Sequence, residues 1–154
     1  MGDLIDEVTS FLGLISAASG SAPDPYTALS AALDRLALAY HAAPECAPSS
    51  DEEEPPADYV ETRRSIQCKF PHLGLYPWIH PLDAVDGTLG MGDALDDLTD
   101  IVLDLRNVAW RWENTSPADA TWYFKLSYST HWGRYLANLR SYLHAVVFEP
   151  STRG

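Results

Sequence analysis

Residues 116–148 constrain the fold more than any other stretch of the chain. They open Ser116-Pro117-Ala118-Asp119, which joins a capping hydroxyl, a proline at the first helical position and an acidic third position. From there the spacing predicts a helix to about Phe148, roughly 45 Å long at 1.5 Å per residue. Two adjoining faces are apolar. One carries Trp122, Leu126, Leu136, Leu143 and Val147, with Gly133 allowing close approach; the other carries Phe124, Tyr128, Trp132, Tyr135, Leu139, Tyr142 and Val146. Only Ser127, Thr130, Arg134, Asn138 and Ser141 form a polar strip. A helix apolar around most of its circumference has to be covered from several sides, so this helix is expected at the centre of a bundle.

Four further helices are expected around it. The first, about 3–18, carries Leu4, Val8, Phe11, Leu12 and Ile15 on one stripe, with Asp3 as its cap and Gly20 as its stop. The second begins at Asp24-Pro25 and carries Tyr26, Leu29, Leu33, Leu36 and Tyr40 at three-four spacing. The third starts at Asp58 with Glu61 three residues on and ends before Pro71; Arg63 interrupts its apolar stripe of Tyr59, Ile66 and Phe70. The fourth, about 93–113, has an unbroken seam of Leu95, Leu98, Val102, Leu105, Ala109 and Trp112. Together these predict an all-α, five-helix domain over residues 1–150.

Two connections do not read as helices. Residues 43–57 hold four prolines and the acidic run Asp51–Glu54, the composition of a mobile linker. Residues 71–92 hold three prolines and four glycines, which forbid a long helix, yet Leu73, Leu75, Tyr76, Trp78, Ile79, Leu82 and Val85 make them too apolar to float in water. An ordered, irregular segment packed on the long helix is expected, and such segments often carry function.

Charge narrows the function. Ten Lys and Arg stand against 22 Asp and Glu, a net charge of −12, and 19 of those acidic residues fall within residues 1–104. This excludes a duplex nucleic acid partner, which needs a basic footprint, and an anionic membrane surface. The start lacks a basic n-region and no apolar run suits a membrane span, so a cytoplasmic location is expected. Cys46 and Cys68 are too few and too isolated for a disulfide framework or a zinc knuckle. Eight Arg to two Lys, with abundant Ala, hints at a bacterial source.

Asp96-Asp97-Leu98-Thr99-Asp100 has the D-D-x-x-D spacing that binds magnesium–diphosphate in isoprenyl-diphosphate synthases. Carboxylates three and four residues apart share a helical face and can share a hard cation, so Asp97, Asp100 and Asp104 are candidate ligands. That face lies nearly opposite the Leu95–Trp112 seam, and a solvated acidic face is the competing expectation. His131 is expected at the edge of the aromatic face, satisfied by a hydroxyl or carboxylate; it is also the candidate for proton transfer. Tyr76 and Trp78 can stack a planar ligand with His80 orienting it, although anchoring the loop needs the same aromatics. No nucleophile elbow, P-loop or dinucleotide motif is present, and no cofactor is expected.

The run from Asp96 to Leu105, followed by His131-Trp132-Gly133-Arg134, resembles the bacterial domain-of-unknown-function family numbered five thousand and sixty-three. The pattern pairs an Asp-rich helix with Trp122, Ser127 or Ser129, His131-Trp132-Gly133, and Leu139 through Leu143-His144; Tyr76-Pro77-Trp78 resembles its upstream aromatic element. The resemblance implies an all-helical fold and supplies no activity. If Asp100 and Asp104 belong to the pattern, they can meet His131, Arg134 or Arg140 across a groove.

Two functions follow. The first is a non-enzymatic, acidic interaction protein, of inhibitor or immunity type, that binds a basic protein partner. Tyr76, Trp78, His80, His131, Trp132 and Arg134 are its candidate binding residues, beside the acidic run 51–54 and the Asp face. The second is a ligand-binding or metal-assisted hydrolytic domain, with Asp97, Asp100 and Asp104 on a divalent cation and His131 as acid/base.

Overall fold

The computed structural model describes residues 3–18 and 24–149. Helix α1 spans Leu4–Ser16, α2 Pro25–Ala42, α3 Tyr59–Lys69 and α4 Ala94–Asn114. The long C-terminal helix, α5, runs as Pro117–Ser127, one π turn at Tyr128–Trp132, and Gly133–Phe148. Gly20, the expected stop of the first helix, lies outside the described residues.

The helices start where local chemistry caps them. Asp24 accepts hydrogen bonds from the Tyr26 and Thr27 amides, Asp58 from Glu61, Asp93 from Leu95 and Asp96, and Ser116 from Asp119. Asp3 stands at the start of α1 without a side-chain cap bond. Ser116 is doubly used, because its hydroxyl also meets Ser49 Oγ at 2.7 Å. Replacing Ser116 with Ala is expected to cost about 1 kcal/mol in urea unfolding, the usual penalty for a lost cap.

A two-residue connection joins α4 to α5, and they run antiparallel: Arg111 meets Asp119, Asp104 meets both Tyr123 and His131, and Asp100 and Tyr135 line one cavity. Helix α4 shares the centre with α5. Eleven of its 21 residues are buried, and it packs on α1, α3, both halves of α5 and the segment before it. Helix α2 packs on α1 and on the second half of α5. Val8, Phe11, Leu29, Leu33, Leu36, Leu98, Leu105, Phe124, Trp132 and Leu139 lie in one core.

The segment 71–92 is less irregular than its prolines and glycines suggest. Leu75–Trp78 (β1) and Gly90–Asp93 (β2) pair as an antiparallel two-stranded ribbon, with Tyr76 opposite Gly92. Pro77 is tolerated because a two-stranded ribbon leaves edges that need no donor. Tyr142 pins the base, donating to the His72 carbonyl and accepting from Gly74 N, both at 2.9 Å. The tip corrects one expectation: Leu82 and Val85 are exposed to solvent rather than packed on the bundle.

Residues 43–57 form no helix or strand and run alongside α5 to the end of α4. Lys125 reaches the Ala43 carbonyl, Ser49 N donates to Asp119 at 3.0 Å, and Glu54 meets Arg111 at 3.4 Å. Beneath them Arg111 is enclosed, bonded to Asp119 at 2.8 Å and Asn107 at 3.0 Å, with its guanidinium 4.7 Å from the Tyr123 ring. Burial opposes ionisation of Asp119, but donors from Ser49, Arg111 and Thr115 outweigh it and hold its carboxyl below the usual range.

Candidate binding site

The acidic residues of α4 do not form the solvated face that lies opposite its seam on a helical wheel. Both α5 and the ribbon cover that side, so Asp97 is buried and Asp100 and Asp104 are half-buried. Each carboxylate has a different neighbour. Asp93 and Asp96 hold Arg63 of α3, at 3.2 and 2.6 Å, and Asp96 accepts from the Tyr59 hydroxyl at 2.9 Å. Asp97 accepts from Tyr76. Asp104 accepts from Tyr123 at 2.9 Å and pairs with His131 Nδ1 at 2.6 Å. Asp100 makes no hydrogen bond or ion pair among the described residues, and one oxygen of Asp97 also has none.

Tyr76 reaches Asp97 because Gly92 faces it across the ribbon. A Cβ at Gly92 would sit 2.2 Å from the Tyr76 ring, so only glycine lets the ring cross the neighbouring strand. Asn138 lines the cavity beside the same ring. Burial, reinforced by the Asp93, Asp100 and Asp96 charges and opposed by the Tyr76 bond, pushes the Asp97 carboxyl up to about 6. Asp100 is also raised, chiefly by burial, with His131 acting against the shift.

These groups surround a cavity of about 370 Å³ between α3, α4, α5 and the ribbon. Four carboxylates (Asp93, Asp96, Asp97 and Asp100) and four aromatic rings (Tyr59, Tyr76, Trp78 and Tyr135) line it, together with Met91, Asn138 and Arg134. Arg134 is exposed and makes no hydrogen bond or ion pair among the described residues. Asp93 caps α4, and Asp96 and Asp97 lie in its first turn, so the positive end of the helix faces this concentration of charge.

The π turn sets the other side. The Gly133 amide bonds to the Tyr128 carbonyl, five residues back, and a Cβ at Gly133 would lie 2.4 Å from that oxygen. The extra residue in the turn places Trp132 in the core, where its indole N–H donates to Ser127 at 2.9 Å and its ring meets Phe124 and Tyr128 edge-on. It also directs His131 outward onto Asp104, with the Tyr135 ring 5.1 Å away. Both halves of the His-Trp-Gly motif are thereby explained, one by packing and one by pairing across the helices.

The candidates of the sequence thus separate. Tyr76, Trp78, Arg134, Asp97 and Asp100 come together at the cavity, with His131 and Asp104 beyond Asp100 along the same pair of helices. Trp132 has no exposed surface and supports the site from behind. His80 lies past the cavity, its Nδ1 accepting from the Leu82 amide at 3.1 Å and its ring edge-on to Trp78. Arg140 does not meet the α4 carboxylates; it bonds to Asp34 of α2 at 2.6 Å. Among the described residues no group of three or more His, Cys, Asp or Glu is arranged to hold a metal ion, Asp97, Asp100 and Asp104 included. Tyr59, Arg63, Tyr135 and Asn138 belong to the site without having been expected there. The break that Arg63 makes in the apolar stripe of the third helix is the visible trace of its role.

No curated protein matches this sequence. Among solved structures the chain is similar to protein BF1032 from Bacteroides fragilis, with a TM-score of 0.70 at 19% identity over 99% of this chain and 94% of that one. That likeness is one of fold. The family model of a domain of unknown function, DUF5063, matches residues 1–149, the span that contains all five helices and the ribbon. The chain belongs to the DUF5063 family.

Proposed function

We propose that the protein is a non-catalytic binding module that takes a positively charged group of a basic partner protein into the cavity between α3, α4, α5 and the ribbon. One observation carries this reading. Asp100 and the second oxygen of Asp97 line a half-enclosed, aromatic-walled space with no donor among the described residues bound to them. Unpaired carboxylates out of bulk water attract a cation more strongly than exposed ones do, and tyrosine and tryptophan faces add cation–π attraction. A guanidinium suits such a site, because it is planar and can meet a carboxylate with two N–H groups.

The test uses N-acetyl-arginine amide as probe and the uncharged N-acetyl-citrulline amide as control, followed by NMR titration. Chemical-shift changes are expected at Trp78 and Tyr135 with the arginine probe only, weakening as salt rises. Asp100→Asn is expected to lower the affinity about tenfold, the scale of one charge-assisted hydrogen bond. Equal binding of the citrulline control would sink the reading. Arg134→Ala is expected to do the reverse of Asp100→Asn. It removes a like charge from the rim and should raise affinity for the arginine probe a few-fold, with unchanged affinity counting against the cavity as the binding place.

The hydrolytic reading has one observation in its favour: Asp104 fixes His131 Nδ1 and leaves Nε2 free, the orientation a general base requires. It lacks converged metal donors, since among the described residues no group of three or more His, Cys, Asp or Glu is placed to hold a cation. The binding reading needs none.

A further inference from the structure

Beyond the cavity, the ribbon carries a surface that no described residue covers. Six of the eleven large apolar side chains exposed among the described residues come from this one segment: Leu75, Ile79, Leu82, Val85, Leu89 and Met91. Scattered apolar residues on a surface mean little, but a concentration at one place marks an interaction site. This concentration is continuous with the acidic cavity, because Trp78 and Met91 line that cavity and are themselves residues of the ribbon.

We infer that the ribbon tip and the cavity form one docking surface, and that its occupant is a segment of a partner protein carrying apolar side chains beside an arginine or lysine. The inference rests on the cation-binding reading and adds to it the partner's apolar contribution. Charge complementarity selects this occupant. The tip itself carries Asp83 and Asp86 and adjoins the cavity's four carboxylates, so an anionic lipid surface is repelled where the apolar residues would insert. A second copy docked through the same face is also opposed. A two-fold interface would bring this acidic surface against its equal, with Arg134 alone among the residues lining the cavity to set against four carboxylates. A basic segment satisfies both halves, its cation among the carboxylates and its apolar side chains on Leu82, Val85 and Leu89. Apolar anchors then supply affinity, and the buried charge supplies selectivity.

The experiment selects a phage-displayed library of random short peptides on the full chain, then measures the enriched peptide as a synthetic product by calorimetry. Enriched sequences are expected to share a basic residue close to two or more apolar ones. Leu82→Ser/Val85→Ser changes only solvent-exposed side chains, so its fold is expected to survive, and it should weaken the peptide about tenfold or more. It should leave the binding of N-acetyl-arginine amide unchanged. Asp97→Asn/Asp100→Asn should weaken both. The inference is overturned by enriched peptides that lack a basic residue, by equal peptide binding to the Leu82→Ser/Val85→Ser variant, or by no enrichment at all. Tip-dependent flotation with phosphatidylcholine vesicles, or a tip-dependent dimer in sedimentation, overturns it in favour of a membrane or a second copy. If the arginine probe still binds in those cases, the cavity reading stands and only the tip's part falls; if the probe fails as well, both fall.

Discussion

Gly133→Val is expected to destabilise the protein by about 3 kcal/mol or more in urea unfolding, the upper range for a side chain forced into filled space. The cause is backbone geometry rather than lost contacts. A Cβ at this position lies 2.4 Å from the Tyr128 carbonyl oxygen and 3.1 Å from two atoms of its ring, and the oxygen belongs to the π turn itself. No rotation of a flexible side chain relieves the clash, so the turn must open. Opening it moves Trp132 out of the core and takes His131 from Asp104. Near-UV circular dichroism should therefore weaken together with stability. Gly13 is the internal control. It sits in α1 with no atom within 4 Å of where a Cβ would lie, and Gly13→Ala is expected to stabilise by about 0.5–1 kcal/mol, the ordinary helical preference of alanine. Equal effects at the two glycines would show that the π turn imposes no special demand.

Asp97→Asn is expected to make the protein more stable at pH 7 and worse at holding a cation. Asparagine can still accept the Tyr76 hydrogen bond, but it carries no charge to desolvate. The Asp97 carboxyl is raised from its ordinary value of 3.8 to about 6 by burial and by its acidic neighbours. Its ionisation therefore works against folding. Below about pH 4 both folded and unfolded forms are protonated and the penalty is absent. As pH rises from about 4 to 6 the unfolded form ionises first and stability falls; above about 6 the whole penalty is present, about 3 kcal/mol for a shift of this size. Asn should recover up to that amount at pH 7 and remove this part of the pH dependence, which urea midpoints at pH 5 and pH 7 would read. Affinity for the arginine probe moves the opposite way, since the carboxylate attracts the cation only when ionised. Wild-type binding should weaken between pH 7 and pH 5 while the fold tightens. A variant that is neither stabilised nor impaired in binding would contradict the placement of Asp97 as a buried charge kept for a ligand.

What was legible in the sequence was what is local. Asp24-Pro25, Asp58 with Glu61, and Ser116-Pro117 each place an acceptor within reach of its own helix's first amides, so these starts needed no knowledge of the rest of the chain. The pairing of Asp104 with His131 was open to sequence reasoning as one of several partners across a groove, because both lie on long, strongly periodic helices. The π turn was not legible. One inserted residue shifts the apolar register by a single position, which is hidden on a helix apolar around most of its circumference, and Gly133 reads equally well as room for a neighbour. The ribbon was hidden for the same kind of reason, since Pro77, Gly90 and Gly92 are punctuation in any local reading and their pairing is a long-range event. The burial of Asp97 was missed because a helical wheel has one inside and one outside, whereas α4 has neighbours on both.

The cavity's charge is already partly answered before any ligand arrives. Arg63 holds Asp93 and Asp96, and the first turn of α4 points its amide dipoles toward Asp96 and Asp97. An incoming cation would meet only the remaining field, that of Asp100 and the second oxygen of Asp97, so on the proposed reading a single basic side chain binds specifically but exchanges quickly. Residence time must then come from the number of simultaneous contacts rather than from depth of one well. On the proposed reading, a site built this way would sample many basic chains briefly and retain the one that also fits elsewhere.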